Sequence, residues 1–247
     1  LTEAVRLRLK ADVPLGAFLS GGVDSSAVVA IMAELQGSEA VNTCSMGFDD
    51  PRFNEVEFAQ MVADRYRTRH HVETVASDDF GLIDTLAHLY DEPYADSSAI
   101  PTYRVSQLAR RHVTVALSGD GGDESFGGYR RYRLHLMEER LRSALPYGLR
   151  KGVFGTLGRV YPKLDWAPRF LRGKTTFQAL ARHSVEAYFD TVSLLRAPMR
   201  QALFSPKLVA ELGGYDAFEV FRRHAADAGT EDPLALIQYL DTKTYLV

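Results

Sequence analysis

The chain has 247 residues, 46% hydrophobic and 25% charged, with a formal net charge of −3. That length suits one large domain or two small ones with ample core. The near-neutral charge argues against nonspecific nucleic-acid binding, and no apolar run approaches the roughly 18 to 20 residues of a membrane span.

Up to about residue 145 the pattern alternates strand and helix. Residues 13–19 form a short apolar run before a loop, the mark of a strand, and 25–35 read as a buried helix. Residues 41–48 read as strand, 54–66 as an amphipathic helix, and 69–75 as strand. Apolar spacing at i, i+3, i+4 predicts helices over 80–90 and 99–111, and 113–117 reads as strand. Such alternation implies an α/β fold, a doubly wound, mostly parallel sheet covered on both faces. Ligands of such sheets bind beyond the carboxyl ends of the strands. From Tyr129 on, Arg-rich helical stretches broken by prolines predict six or so short helices and no strand. The division expected is an α/β core over 1–145 and a helical C-terminal continuation over 146–247.

The start, LTEAVRLRLKADVP, is amphipathic and charged and lacks a signal-peptide core. The single cysteine, Cys44, has no partner for an internal disulfide, which fits a reducing, cytoplasmic setting. No membrane or nucleic-acid partner is expected. The first residue is Leu1, and the last residues, DTKTYLV, sit inside a helical pattern, so the chain reads as a segment cut from a longer protein.

Two Ser-Gly loops stand out, each at the carboxyl end of a predicted strand. The first is SGGVDSS, Ser20 to Ser26, between a strand and a helix. Gly21 and Gly22 let the backbone turn tightly and approach a ligand. Loop amides, serine hydroxyls and a helix N-terminus together make an anion site. It is not the phosphate loop that ends in Gly-Lys-Ser/Thr, because it has no lysine. Asp24 would repel a phosphate unless a cation lay between them, which points to Mg²⁺. The plainer reading, a capped helix start, loses ground because of the strand-to-helix context and the second loop. That second loop is SGDGGDESFGGY, Ser118 to Tyr129, in which Asp120, Asp123 and Glu124 sit among glycines.

Other features read more simply. His70 and His71 suit a surface or strand-end pair, and Cys44 a small buried strand residue. Arg130, Arg131 and Arg133 suit a solvated or paired helix face. Trp166 and the tyrosines of the C-terminal half suit packing. For 91–100, DEPYADSSAI, a Pro-fixed connector and a substrate-side role for Asp96 and Ser97 stand level.

Ser-Gly-Gly-x-Asp-Ser after a strand resembles the pyrophosphate loop of the N-type ATP pyrophosphatases. With LSGDGGDESFGGY, DVPLGAFLSGGVDSS, DEPYADSSAIPTY and YLDTKTYL, the resemblance narrows to the asparagine synthetase domain and covers essentially the whole chain. It implies an adenine nucleotide alpha hydrolase-like fold and ATP and Mg²⁺ as ligands. Leu19 and Met46 would line the adenosine pocket. Ser20, Gly21, Gly22, Asp24, Ser25 and Ser26 would hold the pyrophosphate end, and Ser118 and Gly119 would contact the nucleotide. Asp24 and Asp123 would bind magnesium, and Asp120 would be the catalytic acid in forming an acyl-adenylate. Aspartate would be the acceptor, with ammonia supplied by an N-terminal glutaminase domain that is absent here. The family's leaving-group lysine has no match among the six lysines present. One departure stands: the family usually has Glu where this chain has Asp120. The Asp form resembles a bacterial branch of amidotransferases tied to surface polymer synthesis, so another carboxylate acceptor is an alternative. A β-lactam precursor as acceptor, and an ATP-binding fragment without turnover, are two more.

Overall fold

The computed structural model describes residues 1–50, 52, 54–75, 80–90, 96–164, 166–168 and 172–246. They form two compact units, Leu1–Asp120 and Gly121–Val247. The first opens with α1 (Thr2–Arg8), β1 (Leu15–Phe18), α2 (Val23–Gln36), β2 (Asn42–Phe48), α3 (Val56–Tyr66) and β3 (Arg69–Val75). A single 3-10 turn, Phe80–Leu82, leads into α4 (Ile83–Leu89), followed by α5 (Ala99–Arg110) and β4 (Val115–Leu117). The sheet order is β3-β2-β1-β4 with every pairing parallel, as the alternating pattern implied.

Strand alternation sends neighbouring residues to opposite faces. Ala17 of β1 packs with Val28, Val29 and Met32 of α2 and with Ala59 and Ala63 of α3. Phe18, its neighbour, packs on the other face with Cys44 of β2 and Leu108 and Ala109 of α5. Val29 and Met32 are wholly buried. Each such side chain contributes about 1.5–3 kcal/mol relative to exposure.

The element edges differ from the sequence pattern for local reasons. β1 starts at Leu15 rather than at residue 13, because Pro14 has no N–H to give. Its carbonyl instead receives Thr114 N–H (2.9 Å) and Val115 N–H (3.3 Å). The helix expected over 80–90 begins as the tighter 3-10 turn. Residues 91–95, the first half of the DEPYADSSAI segment, lie outside the described residues. Of the remainder, Asp96 Oδ1 accepts the Ser98 N–H at 2.8 Å just ahead of α5.

The second unit holds α6 (Gly122–Phe126), α7 (Arg130–Ala144), α8 (Tyr147–Val160), α9 (Lys174–Leu180) and α10 (Ser184–Val192). It continues with α11 (Ala197–Leu203), α12 (Pro206–Glu211), α13 (Phe218–Asp227) and α14 (Pro233–Thr244), and no strand occurs among its described residues. The helices after Tyr129 outnumber the six or so expected. The prolines start helices rather than merely break them: Pro146 is the N-cap of α8, and α11, α12 and α14 each carry one in the first two positions. The core is Tyr132, Tyr188, Phe189, Phe221, Ile237 and Leu240. Packing therefore holds for Tyr132 and Tyr188 but not for Trp166, which is 84% exposed. An apolar pattern alone cannot tell an indole that reaches the core from one left at the surface.

Candidate active site

β1 and β4 are neighbours, with Ala17 opposite Leu117, so both Ser-Gly loops leave adjacent strand ends. Leu19 is buried and extends the sheet's pairing by one residue, its N–H on the Cys44 carbonyl at 2.9 Å. The Ser45 hydroxyl donates to the Leu19 carbonyl and fixes the exit direction.

The loop then closes on itself. Ser25 Oγ donates to the Gly22 carbonyl (3.3 Å) and accepts the Ser20 N–H (3.2 Å). With its one proton committed, it acts as acceptor in the 3.0 Å contact with Ser20 Oγ. Ser20 Oγ in turn accepts the Gly22 N–H at 3.3 Å. Gly21 has φ +81°, and a Cβ there would lie 2.6 Å from the Ala59 nitrogen, so no other residue fits without displacing α3. Gly22 is the N-cap of α2.

Asp24 stands in the first turn of α2 and is half-buried. An acid there is favoured by the helix dipole, and beside a bound anion it would call for a cation. Ser26 Oγ is buried and has no hydrogen-bond partner. A hydroxyl left in that state costs free energy unless a bound group answers it.

The second loop meets the first. A Cβ on Gly119 would lie 2.7 Å from the Ser25 nitrogen and 3.0 Å from the Asp24 carbonyl carbon. The Gly119 backbone thus lies against the opening turn of α2. Ser118 Oγ accepts the Asp120 N–H at 3.4 Å, and the Asp120 side chain is exposed. Met46 lies on β2, half-buried, beside a cavity of about 220 Å³ shared with Leu19, Ser20, Phe18, Pro101 and Val105. The first unit therefore brings together Leu19, Ser20, Gly21, Gly22, Asp24, Ser25, Ser26, Met46, Ser118, Gly119 and Asp120.

Asp123 belongs to the second unit, in the first turn of α6. Gly121 (φ +85°) and Gly127 (φ +74°) bracket that helix in left-handed conformations. Gly128 leaves room for the Asp123 carboxylate, since a Cβ there would collide with Asp123 Oδ1. Glu124, which the sequence reading gave no role, is buried and accepts the Tyr129 hydroxyl at 2.7 Å. Burial, then the bond to Glu124, pushes the Tyr129 hydroxyl far above its ordinary range, so it stays a donor.

The remaining candidates resolve simply. Cys44 is buried on β2, and burial pushes its thiol up to about 11. His70 and His71 lie on β3, and His71 stacks on His112 with ring centroids 3.5 Å apart. No group of three metal-ligating side chains occurs among the described residues. Arg131 is paired, with the buried Asp241.

A family model described as asparagine synthase matches residues 1–247. The chain belongs to the asparagine synthase family. Several relatives carry glutamine-hydrolysing asparagine synthetase in their names, and three of them are these. One from Methanocaldococcus jannaschii is 49% identical over 130 residues, 52% of this chain and 25% of that protein. One from Bacillus subtilis is 28% identical over 248 residues, covering 99% of this chain and 37% of its own length. One from Mycobacterium bovis is 33% identical over 250 residues, 100% of this chain and 36% of that protein. The chain thus spans little more than a third, or less, of each of these relatives.

Proposed function

We propose that this chain is the synthetase part of an ATP-dependent amidotransferase, in which a carboxylate is adenylated and then converted to an amide. The observation that carries the reading is the meeting of the two loops: Gly119 lies against the first turn of α2, where Ser26 Oγ waits unpartnered. The residues present suit a nucleotide with its metal. A cradle of Ser20, Gly21, Gly22 and Ser25 ends in the positive pole of a 14-residue helix, and Asp24 stands inside it. Residues 1–145 would form the ATP-binding core, and 146–247 a helical continuation of the same synthetase domain.

An oxygen of the acceptor carboxylate attacks the α-phosphorus of ATP, and the bond to the bridging oxygen breaks, releasing pyrophosphate. Ammonia then attacks the acyl carbon of the acyl-adenylate, AMP leaves with the bonding electrons, and the nitrogen loses one proton as the amide forms. Asp24 and Asp123 would be the residues that hold magnesium, and the ion would supply charge neutralisation for the departing pyrophosphate. The N–H groups of the opening turn of α2 and Ser26 Oγ would bind the pyrophosphate end, so that negative charge develops among preorganised donors. Leu19 and Met46 pack the adenosine and exclude water from the acyl-adenylate. Asp120 orients the acceptor or manages its proton. Ammonia would come from a glutaminase partner domain, and the setting would be the cytoplasm.

Aspartate, giving asparagine, is the leading acceptor. A second reading, another carboxylate such as one in a surface-polymer precursor, rests on Asp120 being one methylene shorter than the family's usual Glu. Nucleotide product analysis tests both. The chain with Mg·ATP, ammonium and aspartate should give AMP and pyrophosphate, and Asp24→Asn should abolish them. AMP formation with a different carboxylate but not with aspartate would favour the second reading. ADP and phosphate would overturn the adenylation chemistry.

A further inference from the structure

The YLDTKTYL segment takes no part in the chemistry above, yet it contains a buried, heavily bonded carboxylate. Asp241, 1% exposed, takes four donors on one oxygen, Oδ2. They are the Tyr188 hydroxyl (2.6 Å), the Tyr132 hydroxyl (2.7 Å), Arg131 Nη2 (2.7 Å) and Arg131 Nε (3.2 Å). Arg131 is thereby fixed with its guanidinium 3.4 Å from the centre of the Tyr129 ring. Tyr129 donates to Glu124, the residue after Asp123.

Three residues before Asp241, on the same side of α14, Gln238 makes a direct contact with the same turn. Its Nε2 donates to the carbonyls of Glu124 (2.7 Å) and Ser125 (3.3 Å). These are terminal carbonyls of α6, which have no partner within that helix. Beyond α14, Leu246 lies 3.4 Å from where a Cβ on Gly121 would be, closing the other end of the turn. A helix of five residues has no stability of its own, so its geometry comes from what grips it.

We propose that α14 is a positioning element for Asp123. Gln238 holds α6 directly, and Asp241 holds it through Arg131, Tyr129 and Glu124. The inference rests on the reading of Asp123 as a magnesium ligand. A buried ion pair is a poor stabiliser compared with an apolar replacement, whereas an ordered donor set specifies where a carboxylate points. Neither Gln238 nor Asp241 touches the nucleotide in this assignment. Their effect on binding passes through the backbone of 122–128.

The test uses Gln238→Met, which keeps length and removes the donor, and Tyr129→Phe, which breaks the relay at its hydroxyl. Two measurements are made on the 247-residue chain. The first is titration with a fluorescent ATP analogue across a range of Mg²⁺ concentrations. The second is amide hydrogen exchange without nucleotide. Expected for Gln238→Met is about tenfold weaker binding, the worth of one such bond to a precisely held group. The Mg²⁺ midpoint should rise, and exchange over 122–128 should quicken about tenfold while α7 and α10 keep their protection. Equal binding by wild type and both variants would overturn the positioning role and leave the ATP reading standing. Failure of wild type to bind would instead sink the ATP reading. The exchange data then decide the grip alone, and unchanged protection over 122–128, or equal loss in α7 and α10, would overturn it.

Discussion

Replacing Gly119 by alanine adds one methyl group to the seam between the two loops. The residue has no left-handed φ, so alanine meets no backbone strain and the effect is purely steric. The new Cβ would sit 2.7 Å from the Ser25 nitrogen and 3.0 Å from Asp24 Cβ. Ordinary carbon contacts start near 3.5 Å, so an overlap of about half an ångström or more must be relieved. The obstacle is helix backbone, which cannot rotate away. Inserting a methyl group into such a seam costs about 1–3 kcal/mol. Gly152 is the matched control: it lies inside α8 and a Cβ there meets nothing within 4 Å. Gly152→Ala should stabilise by up to about 1 kcal/mol, the helix-propensity gain. Urea unfolding of both variants reads the stability change, and ATP-analogue titration reads the site. Gly119→Ala should lose both stability and nucleotide affinity, Gly152→Ala neither. Wild-type stability in Gly119→Ala would refute the close packing of the loops on which the proposed site stands.

Ser26→Ala removes a buried hydroxyl that has no partner. Stability should stay within about 0.5 kcal/mol, whereas ATP affinity should fall about 5- to 10-fold; a parallel loss of stability would show the hydroxyl bonded within the protein. Asp241→Asn should cost about 3–5 kcal/mol in urea unfolding, because Arg131 is left without its counter-charge. His135 is 4% exposed, and burial lowers its pKa from 6.5 to about 4, against a smaller upward pull from Glu139. The unfolded chain therefore takes up this proton first as pH falls. Stability from this residue is complete above pH 6.5 and is lost between there and about pH 4, at most roughly 3 kcal/mol; pH-dependent unfolding of His135→Gln should lack that slope. Cys44, with its thiol raised from 9.0 to about 11, should react with a thiol reagent at pH 8 about 100-fold more slowly than in the urea-unfolded chain.

The fold class was legible because strand and helix differ in hydrophobic period, and β3, Arg69–Val75, lies where the pattern placed it. The Ser-Gly loops stood out as candidate ligand loops because acids among glycines call for a cation, and the structure sets them at adjacent strand ends. What the pattern could not convey was pairing over distance. Arg131 and Asp241 lie 110 positions apart, and nothing local in either stretch announces that they meet. The run Arg130, Arg131 and Arg133 suited a solvated or paired face, and only the structure names Asp241 as the partner of Arg131. Glu124 was visible inside its motif but not as a buried acceptor, since burial is set by packing that the motif does not encode. For Gly119 the resemblance implied a nucleotide contact. Only the structure shows that its missing Cβ is room taken up by α2.

The pairing of β1 with β4 also orders events in time. Leu15 pairs with Val115 across about one hundred residues, whereas β2 meets its neighbours β1 and β3 over roughly thirty. Contacts of long sequence separation carry the larger loop-closure cost and form late. On a ribosome adding about 5–20 residues per second, the first Ser-Gly loop waits on the order of 5–20 seconds for β4. Until then Gly119 is absent from the start of α2, and the cradle is half a wall. A nascent chain stalled before residue 115 should hold a three-stranded sheet with no nucleotide grip, and ATP should hasten folding only once β4 has emerged.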